Sequence, residues 1–131
     1  MRSIHLIAGA ALLMSAGVAE ARTRLTPEAK LAKMLDGRIA GQPINCLNLR
    51  DIQSSEIIDD TAIVYRSGNT LYVNRPRGGA DSLNSNDVLL TRTFSGRLCS
   101  IDTVNLIDRY SHFQRGFVSL DQFVPYRKPK K

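Results

Sequence analysis

Apolar and polar positions are most regularly ordered between Asp59 and Pro76, where Thr61-Ala62-Ile63-Val64-Tyr65-Arg66 and Thr70-Leu71-Tyr72-Val73-Asn74 flank Ser67-Gly68-Asn69. Both flanks are rich in β-branched and aromatic residues, and Gly and Asn tolerate the backbone of a tight turn, so the stretch predicts a β-hairpin. A three-residue loop sets Tyr65 opposite Leu71 and Ile63 opposite Val73. That register gathers Ile63, Tyr65, Leu71 and Val73 on one apolar face and leaves Arg66, Thr70, Tyr72 and Asn74 on the other. A two-residue Gly68-Asn69 loop mixes the faces and is the less favoured register.

Ahead of the hairpin, Thr26-Pro27-Glu28 offers a hydroxyl cap, a proline in the first turn and an acid near the positive helix end. Leu31, Met34 and Leu35 share one side of the helix this starts, and Gly37 ends it; its expected place is the edge of the sheet. Further strands are expected at Ile44 to Leu49, with Leu47 and Leu49 on one face, at Ile57-Ile58, at Val88 to Phe94 and at Leu98 to Ile107. A final turn and short strand within Gly116 to Tyr126 bring Phe117, Leu120 and Phe123 onto the core. About six short strands with one helix define the expected class: a mainly β, small antiparallel barrel-like or sandwich domain with one short N-terminal helix.

The first residues stand outside that pattern. Met1-Arg2-Ser3-Ile4-His5 is basic, Leu6 to Val18 is apolar, and Ala19-Glu20-Ala21 is a small-x-small site, the parts of a secretory signal peptide cleaved after Ala21. The organisation is then signal peptide 1–21, a segment with the short helix 22–40, a β-rich domain 41–126 and a basic tail 127–131. No second apolar run approaches the roughly 20 residues of a membrane helix, so a soluble mature chain is expected.

Charge adds a partner class. The 131 residues carry a formal net charge of +6, and Arg2 and Glu20 cancel, so the excess belongs to the mature domain. Such a surface suits anionic polymers. The tail has no interleaved aromatics beyond Tyr126, so nucleic acid is not an expected partner. Arg75 and Arg77, beside Gly78 and Gly79, resemble an anion cradle without the ending of a P-loop; with Arg66 they are the candidate anion-binding residues.

Cys46 and Cys99 are the only cysteines, and an exported chain with an even count points to a disulfide. A catalytic thiol or a metal pair are the competing readings, and both want histidine or further ligands beside the sulfurs. His112 is the only histidine after the signal segment. Adjacent Asp59 and Asp60 look like paired carboxylates, but in a turn such residues cap backbone amides. Nothing here calls for a cofactor or a metal.

Gly41-Gln42-Pro43-Ile44-Asn45-Cys46-Leu47, Ile57-Ile58-Asp59-Asp60-Thr61-Ala62-Ile63-Val64-Tyr65, Leu71-Tyr72-Val73-Asn74-Arg75 and Leu98-Cys99-Ser100-Ile101-Asp102 together resemble a family of small exported proteobacterial proteins of unknown function. The resemblance implies export and small size, and brings no activity or site. Many members carry two further cysteines, near Gly79-Ala80 and near Gly116; their joint absence here implies that those two pair, leaving Cys46 with Cys99. The favoured function is a non-enzymatic envelope protein that contacts an envelope protein or anionic polymer. The alternatives are a small periplasmic hydrolase using Asp59, Asp102 or His112, and an anionic-polymer-binding module using Arg66, Arg75, Arg77 and the tail.

Overall fold

A computed structural model describes residues 24–130. The expected signal peptide and its cleavage point therefore lie outside the described residues. Helix α1, Pro27–Met34, starts as its sequence requires: Thr26 Oγ1 accepts from the Ala29 amide at 3.2 Å, Pro27 occupies the first turn and Glu28 adds its charge there. Ten strands follow: β1 Ile39–Ala40, β2 Cys46–Asn48, β3 Ser54–Ile58, β4 Ala62–Ser67, β5 Thr70–Asn74, β6 Asp87–Leu90, β7 Arg97–Cys99, β8 Thr103–Asp108, β9 Gln114–Ser119 and β10 Phe123–Arg127. They form a five-stranded sheet in the order β1-β10-β5-β4-β3, a pair β2-β7 and a three-stranded sheet β6-β8-β9. Every pairing is antiparallel, so the fold is the mainly β domain with one short helix that the pattern predicts.

The hairpin is present in the other register. Ser67 pairs with Thr70, Arg66 with Leu71, Tyr65 with Tyr72, Val64 with Val73 and Ile63 with Asn74, so the loop is the two-residue Gly68-Asn69. Gly68 takes φ +56° and Asn69 stays at negative φ, the pattern of a type II′ turn, whose twist matches that of the strands. The three-residue loop followed from assuming one buried face. Instead Ala62, Ile63, Val64 and Tyr65 are all buried, because the sheet is covered on both sides.

One side carries Ile58, Ala62, Val64, Leu71 and Val73 against Leu31 of α1, which is 1% exposed. The helix thus lies on the face of the sheet rather than only along its edge, and burying Leu31 there stabilises the fold by roughly 2 kcal/mol. The other side presents Ile57, Ile63, Tyr65 and Phe123 to Leu47, Leu98, Val104, Leu106 and Val118 from the two smaller sheets, which form the main core. Tyr65 and Phe123 meet edge to face with ring centroids 5.8 Å apart.

Other local expectations change for identifiable reasons. The single strand expected over Leu98 to Ile107 is broken after Cys99, where the Asp102 carboxylate accepts from the Cys99 amide at 2.7 Å and closes a turn. Leu49 leaves the strand to open a 3₁₀ turn capped by Asn48. Leu120 and Phe123 are fully buried as expected, while Phe117 points outward at 56% exposure because β9 alternates around buried Val118. Buried Asn74 fastens the turn between β9 and β10, donating to the Asp121 carbonyl at 2.6 Å and accepting from the Asp121 amide at 3.1 Å.

Candidate functional site

Cys46 and Cys99 are directly opposite each other in the β2-β7 pair and form a disulfide with a Cα–Cα separation of 4.0 Å. The Ser100 amide donates to the Asn45 carbonyl at 2.7 Å, which makes the adjacent cysteine pair a non-hydrogen-bonded one, where antiparallel Cα atoms approach most closely. The thiols are thereby consumed in a cross-link.

The acid and base candidates belong to different turns. Asp59 Oδ1 accepts from the Ser85 amide at 2.5 Å, tying the β3-β4 turn to the loop before β6. Asp102 caps Cys99, as above. His112 sits exposed in the β8-β9 turn at φ +63°, and its amide donates to the Asp108 carbonyl at 2.9 Å. In that same turn the amides of Ser111 and Tyr110 bond the Asp108 carboxylate and hold its pKa below the usual value. Among the described residues, no group of three or more His, Cys, Asp or Glu could hold a metal ion.

The three candidate arginines have three settings. Arg75 closes a two-toothed ion pair with Glu28 of α1, at 2.8 and 3.1 Å, which lowers the pKa of Glu28 through the hydrogen bond. Arg77 donates through Nε to the Leu120 carbonyl at 2.7 Å and through Nη2 to the Ser100 carbonyl, stitching the segment after β5 to two turns. Arg66 alone faces a depression with other cations.

That depression, of about 470 Å³, is lined by Arg38, Arg66, Asn69, Thr70, Arg127 and Lys128. Sheet order assembles it. β10 lies between β1 and β5, pairing Arg127 with Ile39 and Tyr126 with Leu71, while Leu71 in turn pairs with Arg66. The end of β10, the residue before β1 and the tip of the β4-β5 hairpin therefore meet at one end of the sheet. Arg38 is fixed there: its Nη1 donates to the Asn69 carbonyl at 2.7 Å and to the Tyr126 carbonyl at 3.2 Å. The described residues lining the depression include four cations and no carboxylate.

The sequence groups Arg66 and the basic tail with Arg75 and Arg77 in one anion-binding reading, without a local reason for Arg66 and the tail to be neighbours. What joins them is the pairing of β10 with β5 across some fifty residues, and no local pattern announces it. Arg38 was missed altogether; its only signal was a cation directly after the helix-ending Gly37. No helix among the described residues is long and apolar enough to cross a membrane. No protein-family model, curated protein or solved structure matches the chain.

Proposed function

We propose that the protein is exported, soluble in the envelope or medium, and acts as a non-enzymatic binding module held by one disulfide. The observation that carries the binding reading is the depression in which Arg38, Arg66, Arg127 and Lys128 meet with no acid among its lining residues. Elsewhere among the described residues, ion pairs join Lys30 to Glu56 at 3.2 Å, Arg75 to Glu28 at 2.8 Å and Arg115 to Asp87 at 3.2 Å, whereas none of the four cations here is so paired. Clustering like charges costs self-repulsion, which an anionic partner relieves. Export is supported by the basic, apolar and small-residue order of the first 21 residues and by a disulfide, which persists in oxidising compartments.

Two measurements test the reading. Intact mass of protein recovered from its native host should match Arg22 to Lys131, with both thiols blocked only after reduction; free thiols in an unprocessed chain would remove the case for export. Titration of the folded domain with isolated envelope polymers at low ionic strength should give saturable binding that weakens with salt. No binding under those conditions overturns the binding reading.

A further inference from the structure

We infer that the depression at the hairpin end of the five-stranded sheet is a subsite for a linear anionic polysaccharide. This deepens the binding reading above and rests on it. Three features choose the ligand class. First, the anionic character of the ligand follows from four cations brought within one 470 Å³ depression. None of the ion pairs found among the described residues uses these four.

Second, the two neutral lining residues are Asn69 and Thr70, an amide and a hydroxyl that can donate to and accept from sugar hydroxyls. Third, no lining residue is aromatic or aliphatic. Single-stranded nucleic acid is held by bases stacked on aromatic rings, and peptides are anchored by apolar side chains in pockets. Neither anchor is provided here, whereas carboxylate- or phosphate-bearing sugars need only the cations and hydrogen-bonding groups present.

The site is also partly ordered in advance. Arg38 is tethered by two main-chain carbonyls, and Arg127 is held by the β1-β10 pairing. Arg38 therefore loses less side-chain entropy on binding than a free surface arginine would, and the Arg127 backbone is fixed in place. Arg75 and Arg77 are not members of the subsite, since their guanidinium groups are occupied by Glu28 and by the carbonyls of Leu120 and Ser100.

The test uses alginate as the probe polymer, with neutral dextran, single-stranded DNA and polyglutamate alongside it, and isothermal titration over a series of salt concentrations. The site variant is R66Q/K128Q, two exposed side chains outside the ion pairs found among the described residues. The control is R92Q/R97Q, which removes the same charge from exposed positions outside the depression. The proposal expects alginate to bind and dextran not to bind. The affinity for alginate should fall about tenfold or more in the site variant and less than about twofold in the control. The log–log salt slope should be near −3 for about four contacts and shallower by about 1.5 in the site variant, which removes two of them.

Equal losses in the two variants would show diffuse charge and overturn the subsite while leaving polyanion binding standing. Tighter binding of DNA or polyglutamate than of alginate would overturn the ligand class. Absence of binding to all three polyanions at low salt would overturn the underlying binding reading as well.

Discussion

A second disulfide should form between Ser82→Cys and Gly116→Cys. The segment around Ala80–Ser82, a 3₁₀ turn, packs against β9, and a Cβ built on Gly116 would stand 3.7 Å from the Ser82 Cβ. Bridged cysteines have Cβ atoms about 3.5–4.5 Å apart, so the pair needs little backbone movement. Gly116 is not among the glycines at positive φ, so a side chain is admissible there. The new loop spans roughly 34 residues, for which the chain-entropy account gives nearly 4 kcal/mol. The Cys46–Cys99 loop already contains Ser82 and has taken part of that entropy, so a gain of roughly 3 kcal/mol is expected. For a domain of this size that raises the midpoint of thermal unfolding by about 10–20 °C.

The assay compares the oxidised double variant with the oxidised parent by thermal and urea unfolding, after mass spectrometry has counted the remaining thiols. Free engineered thiols in a protein whose native bridge is intact would refute the geometry. So would a bridged protein no more stable than the parent. Gly79→Cys with Gly116→Cys is a sharp contrast: Gly79 lies at φ +81°, and a Cβ there would come 2.6 Å from the Phe117 carbonyl oxygen. That variant should lose stability.

Four further outcomes follow from contacts already described. Replacing both native cysteines by alanine should cost about 4 kcal/mol in urea unfolding, since the bridge spans a sequence separation of 53; a loss below about 1 kcal/mol would mean that the denatured chain is already constrained there. Tyr65 is buried and its hydroxyl has no hydrogen-bond partner among the described residues, so Tyr65→Phe should gain about 1 kcal/mol, and a loss would reveal a partner. Burial also raises the Tyr65 pKa, so the stability tied to its retained proton is complete below the unfolded value of about 10 and is lost as pH rises above it; Tyr65→Phe should flatten that alkaline decline, and an unchanged pH profile would contradict the assignment. Asn74→Ala removes both bonds to Asp121 inside the protein and should cost about 2–3 kcal/mol, read by urea unfolding, with a neutral result showing that the β9-β10 turn holds without it.

Local chemistry is legible in this chain, and pairing that depends on distant elements is not. The start of α1 was legible because capping is local: Thr26, Pro27 and Glu28 do what their chemistry dictates within one turn. The cysteine pair was legible because it was the only pair. The register of the hairpin was not, because it depended on α1 covering the second face, and no periodicity within Asp59 to Pro76 carries that information. The strand break at Ser100 to Asp102 was visible in principle, as Asp102 is a residue that competes for backbone amides, but the apolar run around it outweighed the signal. The candidate site was half legible. Arg66 and the tail were identified as basic, while Arg75 and Arg77 looked alike in sequence and differ only because Glu28 and two carbonyls reach them through the fold.

Sheet order and chain order part at β10, which is made last yet lies between β1 and β5. A ribosome or translocase releasing the protein from its N-terminus delivers β1 with no sheet partner and β5 with one edge open. Both wait for Phe123–Arg127. The largest sheet can therefore be completed only after almost the whole chain is free, and its closure over so long a sequence separation is slow by topology alone. For a protein proposed to be threaded across a membrane, this ordering leaves the β3-β4-β5 meander free to pair early and delays completion of the five-stranded sheet until β10 has emerged.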